Sequence, residues 1–313
     1  MNDSRKRVLL VVDGSYQAFE TVNYVSETLP PGETQIVLLH ITSKVPEAFW
    51  DLEKDPVWQQ KVKTVRGWEI QQEKKISDFM DRARQVFKNA NFPDSAVKVD
   101  IRERKEGIAR DIGAESHRGY DAVILGRRGL STIQDLSLGG VAGKVVLKNT
   151  DMAVWLVGGR PDPNGIVIGM DSSGWSLKAV EHTAKMIEGQ GKKIVLLHVV
   201  RKLSSDPEGL ADAGLVEFQQ QREDRAAREI EPVFDKAVEA LKAVGIPVGD
   251  ISIKVITGAD SRAGTILEEA RAGGYGTIVV GRRGLSTVEE FDMGRVSNKL
   301  VQAAKDRALW VIG

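Results

Sequence analysis

Read for the alternation of apolar and polar positions, the chain is a series of short apolar runs separated by stretches with helical spacing. The runs predict strands near 7–12, 35–41, 96–102, 121–126 and 153–157, and again near 165–170, 192–200, 250–256, 277–281 and 308–312. Between the second and third runs, Ile76, Phe79, Met80, Ala83, Val86 and Phe87 recur at the spacing of one helical face. Strands that alternate with helices are the pattern of βαβ units around a parallel sheet, so the fold class is α/β. Pro232 falls inside the helical stretch of the second half and is expected to kink it or start a new helix.

The pattern is also written twice. Val8-Leu9-Leu10-Val11-Val12-Asp13 is answered by Ile166-Val167-Ile168-Gly169-Met170-Asp171, and Val37-Leu38-Leu39-His40-Ile41 by Val195-Leu196-Leu197-His198-Val199, at one common offset. Gly126-Arg127-Arg128-Gly129-Leu130-Ser131-Thr132 recurs letter for letter from Gly281 to Thr287. Ala153-Val154-Trp155-Leu156-Val157-Gly158 is answered by Ala308-Leu309-Trp310-Val311-Ile312-Gly313. The last two blocks share an offset shorter by three residues, a single length change between the second and fourth strands. Four blocks in the same order, with a period far too long for a solenoid, mean domain duplication. The Gly/Pro/Asp/Asn cluster from Gly158 to Gly165 is linker chemistry, so the expected organisation is a first domain over 1–158, a linker over 159–164 and a second domain over 165–313.

Composition narrows the functional classes. The chain has 313 residues with 44 basic and 44 acidic side chains, so no global basic field favours nucleic acid. It has no cysteine, which removes disulfide frameworks, Cys-based zinc sites and thiol catalysis. The apolar run from Val8 to Val12 is too short for a signal-peptide core, and no run approaches the roughly 20 residues of a membrane span. The expectation is a soluble, cytoplasmic protein.

In an open α/β sheet, ligands sit beyond the carboxyl ends of the strands. Three features of each half fall there. An aspartate closes strand one, Asp13 or Asp171, followed by Gly14-Ser15 or Ser172-Ser173. A glycine loop closes strand four, Gly126-x-x-Gly129 or Gly281-x-x-Gly284. A further glycine, Gly139 or Gly294, opens the last helix. Glycines let backbone approach a phosphate, and the free N–H groups of a helix start attract anions.

With these residues the sequence resembles the universal stress protein family, as a tandem two-domain member, over nearly its whole length. The resemblance implies two Rossmann-like domains of the adenine nucleotide alpha hydrolase type, each a five-stranded parallel sheet of order 3-2-1-4-5. It also implies an ATP or AMP site, with Mg2+ as a possible companion, in a stress-response or signalling role. Carried over by position, Asp13 and Asp171 face the nucleotide, while Ile41 and Val199 border the adenine. Gly126, Arg128, Gly129, Gly139, Gly140, Val141 and Ala142 line the phosphate path of the first half. Gly281, Arg283, Gly284, Gly294, Arg295, Val296 and Ser297 line that of the second. Nucleotide-binding members carry Ser or Thr after the last glycine; here Gly140 and Arg295 stand there. Arg295 either holds a phosphate or fills the space and pairs with Asp171 or Asp292. Members commonly dimerise through the last strand, so the two halves are expected to pair antiparallel there with Trp155 and Trp310 close together. Homo-oligomerisation is left open.

Other residues carry plainer readings. His40 and His198 end equivalent strands and read as structural. His117 and His182 have no counterparts and are expected on helix surfaces. The pairs Arg127-Arg128 and Arg282-Arg283 either reach phosphates or are solvated. Trp50, Trp58 and Trp68 read as packing or covering groups before cofactor stacking. Glu289-Glu290, matched by Gln134-Asp135, reads as solvated charge. No nucleophile triad, P-loop or zinc-protease motif occurs. Three readings remain: a nucleotide-binding stress protein, a nucleotide-free scaffold of the same fold, and a slow ATPase.

Overall fold

A computed structural model of the protein describes residues 5–45, 57–129, 138–202, 215–285 and 292–313. Trp50, Gln134, Asp135, Glu289 and Glu290 lie outside the described residues. The strands of the first half are β1 (Lys6–Val11), β2 (Thr34–Thr42), β3 (Val97–Glu103), β4 (Ala122–Gly126) and β5 (Ala153–Val157). Those of the second are β6 (Gly165–Met170), β7 (Lys193–Arg201), β8 (Ile251–Ala259), β9 (Thr277–Gly281) and β10 (Ala308–Ile312). They join in one sheet of order β3-β2-β1-β4-β5-β10-β9-β6-β7-β8, so each half has the order 3-2-1-4-5.

Successive residues of a strand point to opposite faces, and both faces here are covered. Val8 and Leu10 of β1 pack in one apolar cluster and Leu9 in the other. The first cluster is closed by α1 (Tyr16–Thr28), α2 (Gln59–Asn89), α5 (Gly174–Met186) and α6 (Leu215–Ala243). The second is closed by α3 (Ile108–Ser116), α4 (Gly140–Lys148), α7 (Arg262–Ala272) and α8 (Arg295–Ala303). The six residues singled out from Ile76 to Phe87 all lie in α2 and pack on the first cluster. Pro232 does not break α6, which runs through it. Proline leaves the carbonyl one turn earlier without a donor, but Pro232 and Arg228 are both on the exposed face, where water can replace the lost bond.

At the centre of the sheet β5 pairs antiparallel with β10, with Trp155 opposite Trp310. The two indoles stack at 3.6 Å between centroids and 4° between planes. A buried indole N–H needs an acceptor, and each finds one on the other half. Trp310 Nε1 donates to the Tyr24 hydroxyl at 3.0 Å, and Tyr24 shares a 2.8 Å bond with Thr277. Trp155 Nε1 donates to His182 Nε2 at 3.2 Å. Tyr24 and His182 occupy matching positions of the repeat, on α1 and α5. The expected surface placement of His182 is therefore wrong: it has a counterpart, and its ring stands edge-on to both tryptophans. Burial pushes its pKa down to about 4, which keeps Nε2 unprotonated and able to accept. His117, at the end of α3, is exposed as expected.

Because β5 and β10 are antiparallel, the strands of the two halves point in opposite directions. The carboxyl-end sites consequently open on opposite edges of the sheet. Each site lies at the edge where the other half's last helix ends.

Candidate functional site

Each site starts with a turn fixed by its own carboxylate. Asp13 Oδ1 accepts the Ser15 N–H at 3.0 Å, and Asp171 Oδ1 accepts the Ser173 N–H at 3.0 Å together with the Ser173 hydroxyl. Gly14 has φ +81°, a conformation side chains rarely adopt. The histidines at the ends of β2 and β7 brace these turns: His40 Nδ1 donates to the Val12 carbonyl and His198 Nδ1 to that of Met170, both at 2.8 Å. Their place is structural, and burial lowers the pKa of His198.

The glycine loops then close on the aspartates. A Cβ at Gly129 would lie 2.3 Å from Asp13 Oδ2, and one at Gly284 would lie 2.5 Å from Asp171 Oδ2. Only glycine fits with the carboxylate in place. The N–H of Gly139 donates to the Arg127 carbonyl at 2.7 Å and that of Gly294 to the Arg282 carbonyl at 2.9 Å, tying each loop to the helix that follows. No side chain caps α4 or α8 at its N-terminus. The N–H groups of Gly140, Val141 and Ala142, and of Arg295, Val296 and Ser297, are those a helix start leaves without an intrahelical partner.

The cavities built on these two frames differ. In the first half Asp13, Ile41, Gly126, Arg128, Gly129, Gly139, Gly140, Val141 and Ala142 line one cavity of about 730 Å³. Gly14 and Ser15 do not face it. They form the turn and the cap of α1, where Ser15 Oγ accepts the Ala18 N–H at 3.1 Å. In the second half Asp171, Val199, Gly281, Arg283, Gly284, Gly294, Arg295, Val296 and Ser297 line a cavity of about 250 Å³. Ser172 and Ser173 likewise stand outside its wall. The Ser297 hydroxyl donates to the Gly281 carbonyl at 2.7 Å, which commits its proton within the protein. Arg295 is exposed, and among the described residues it makes no ion pair with Asp171 or Asp292.

Sequence reasoning missed one wall of the first cavity. Trp68, Gln72 and Ile76 of α2 line it, with Glu69 and Glu73 beside them. The signal was present in the four-residue spacing of Trp68, Gln72 and Ile76, which continues the apolar stripe of that helix. Trp68 therefore covers the cavity, whereas Trp58 stands exposed at the start of α2 with the Lys61 ammonium over its ring.

The first arginine of each pair corrects both readings given to it. Arg127 and Arg282 are each 1% exposed. Arg127 Nη2 donates to the Val301 carbonyl of the other half. Arg282 crosses in the opposite sense: Nη1 donates to the carbonyls of Val146 (2.8 Å) and Asn149 (3.1 Å), and Nη2 to that of Leu147 (2.8 Å). Each guanidinium thus binds the last-turn carbonyls of the helix whose start forms the opposite site. Those carbonyls lack intrahelical donors, and a cation there complements the helix dipole. Burial, with the charge of Arg128 next to it, holds Arg127 below the usual guanidinium range, at about 10. Arg128 and Arg283 remain exposed at the cavity walls.

Comparison with known proteins agrees with this architecture. The model of the universal stress protein family matches the chain twice, over residues 4–157 and 164–309. The universal stress protein YxiE of Bacillus subtilis (strain 168) is 28% identical over 139 residues, which is 92% of that protein and 44% of this chain. A universal stress protein from Archaeoglobus fulgidus DSM 4304 superposes with a TM-score of 0.59 at 16% identity, covering 100% of this chain and 99% of its own. A putative universal stress protein from Pseudomonas aeruginosa UCBPP-PA14 does so with a TM-score of 0.55 at 11% identity, covering 99% and 94%. Among the described residues no helix is long and apolar enough to cross a membrane.

Proposed function

This chain belongs to the universal stress protein family as a tandem member, and from that membership together with the first cavity we propose that its first half binds one adenine nucleotide, ATP or AMP, in a stress-response or signalling role. The observation that carries this reading is the 730 Å³ cavity, which gathers a carboxylate, a glycine loop and an uncapped helix start at the carboxyl edge of one sheet. Its volume lies inside the range of roughly 300–1,000 Å³ typical of small-molecule sites, and the 250 Å³ of the second cavity lies below it.

In this reading the Asp13 carboxylate, which also accepts the Ser15 N–H, accepts from a ribose hydroxyl. The backbone at Ile41 borders the base, and the N–H groups of Gly140, Val141 and Ala142 meet the phosphates with Arg128 at the rim. Gly140 supplies no hydroxyl, a loss of about 1 kcal/mol for a neutral hydrogen bond. Among the described residues no three His, Cys, Asp or Glu side chains are grouped to hold a metal ion. Any Mg2+ would rest on the nucleotide's phosphates and Asp13. The second half serves as the structural partner, and the β5–β10 pairing is the joint that holds the halves together in solution. The boundary between the two units falls in 159–164.

Mass spectrometry of small molecules released from freshly purified protein tests the assignment, alongside retention of labelled ATP. The expected result is one adenine nucleotide per chain. No retention would leave the scaffold reading, and steady turnover would make the protein an ATPase.

A further inference from the structure

The glycine loops of the two halves are identical in sequence, yet one cavity is about a third the size of the other. One rim residue differs in a way that bears on the base end of the site. Arg262, the first residue of α7, donates from Nε to the Val199 carbonyl at 3.1 Å and lines the second cavity. Val199 is the residue that would border an adenine there. By helix position the matching residue in the first half is Ile108, the first residue of α3, which lines the first cavity. The aliphatic side chain of Ile108 has no donor to offer the Ile41 carbonyl.

We propose that Arg262 decides which half takes nucleotide: its side chain occupies the base end of the second cavity and holds the backbone carbonyl an adenine edge would need, while Ile108 at the same place in the first has no donor to claim the Ile41 carbonyl. The proposal rests on the adenine-nucleotide reading of the first cavity. A ligand entering the second half would have to displace a charge-assisted hydrogen bond, the stronger kind, as well as the stem that fills the space. Burial and the charges of Arg222 and Arg201 lower the pKa of the Arg262 guanidinium, and Asp171 opposes them.

Calorimetric titration of the full chain with ATP, over wild type, Arg262→Ala and Ile108→Arg, tests the assignment. Wild type is expected to take one nucleotide and Arg262→Ala two. Ile108→Arg, which puts a cation at the matching helix start, is expected to weaken the first site by tenfold or more. An Asp13→Ala/Arg262→Ala double variant, which disables the first half, should keep one binding event and so locate the gained site. Circular dichroism checks that each variant is folded, and Arg262→Gly serves if the alanine variant is not. If wild type takes none and Arg262→Ala takes one, the adenine reading of the first half fails while the role of Arg262 stands. Two events in wild type, or no gained event in a folded Arg262 variant, would overturn it.

Discussion

The two halves of this molecule share a strand order, a glycine loop and a carboxylate turn, but they surround cavities of about 730 and 250 Å³. Backbone features repeat because the repeat repeats them: Gly129 and Gly284 yield to the same carboxylate oxygen, and Gly139 and Gly294 donate to the same loop carbonyl. The differences lie in side chains that reach in from outside the repeated blocks. Trp68 and Glu73 of α2 line one wall of the first cavity, and Arg262 of α7 lines the second. A duplicated fold therefore conserves the frame of a site more readily than its contents.

At the joint each half completes the other's core, and there the largest effects are expected. Trp155 and Trp310 are fully buried, and each passes its N–H to the other half. Trp155→Ala and Trp310→Ala should each cost about 3–5 kcal/mol, the range for deleting a large aromatic from a core. Urea unfolding measures this. A loss confined to one variant would mean that the junction is not the shared core the stacking geometry implies.

The same joint also holds the sharpest chemical difference, Tyr24 against His182. The folded-state pKa of His182, about 4, lies below its ordinary 6.5, so protons bind the unfolded chain first. Its contribution to stability is complete above about pH 6.5 and is lost as pH falls toward 4, at up to about 1.4 kcal/mol per pH unit. Asp121 opposes the downward shift and Lys185 adds to it. The Tyr24 hydroxyl is pushed upward by burial and stays neutral throughout this range. His182→Gln keeps an acceptor for Trp155 but does not titrate. Urea midpoints from pH 7 to 4.5 should fall more steeply for wild type than for this variant, and parallel curves would remove the histidine from the explanation.

Much of this was legible in the chain because it depends on local pattern. Alternating apolar runs located every strand within a few residues, and the glycine spacing identified the loops and helix starts that frame each cavity. What the sequence left hidden depends on pairing across the molecule. Arg127 and Arg282 read as reaching phosphates or as solvated, the two ordinary fates of an arginine pair beside a glycine loop; only the antiparallel joint brings helix ends within their reach. His182 read as a surface residue because its counterpart is a tyrosine, and the shared property, an acceptor for an indole N–H, is not a shared letter. Arg262 drew no notice because its counterpart is an isoleucine.

Within the first cavity, Asp13 and Arg128 separate a specific contact from a general field. Asp13 is partly buried with one oxygen committed to the turn, so an acceptor lost there has few substitutes; hydrogen bonds to charged groups are worth roughly 1.5–3 kcal/mol. Arg128 is exposed, and exposed charges contribute about 0–1 kcal/mol. Calorimetry with ATP should show Asp13→Ala weakening binding by at least tenfold and Arg128→Ala by no more than a few-fold. The reverse order would shift the centre of recognition from ribose to phosphate.

The smallest effect is expected at Arg295, although it stands where nucleotide-binding relatives carry a hydroxyl. Its side chain is exposed, and among the described residues it pairs with neither Asp171 nor Asp292. Replacing it by serine therefore removes no contact that holds the fold, and stability should change by less than about 0.5 kcal/mol, as for surface substitutions in general. Serine would restore a hydroxyl at the start of α8, but the base end of the cavity would still be held by Arg262 on the Val199 carbonyl. Arg295→Ser alone should accordingly bind the same number of ATP molecules as wild type. Added to Arg262→Ala, it should tighten the second event by about the 1 kcal/mol of a neutral hydrogen bond, several-fold in affinity. A second binding event in Arg295→Ser alone would move the obstruction from the base end of the cavity to its phosphate end.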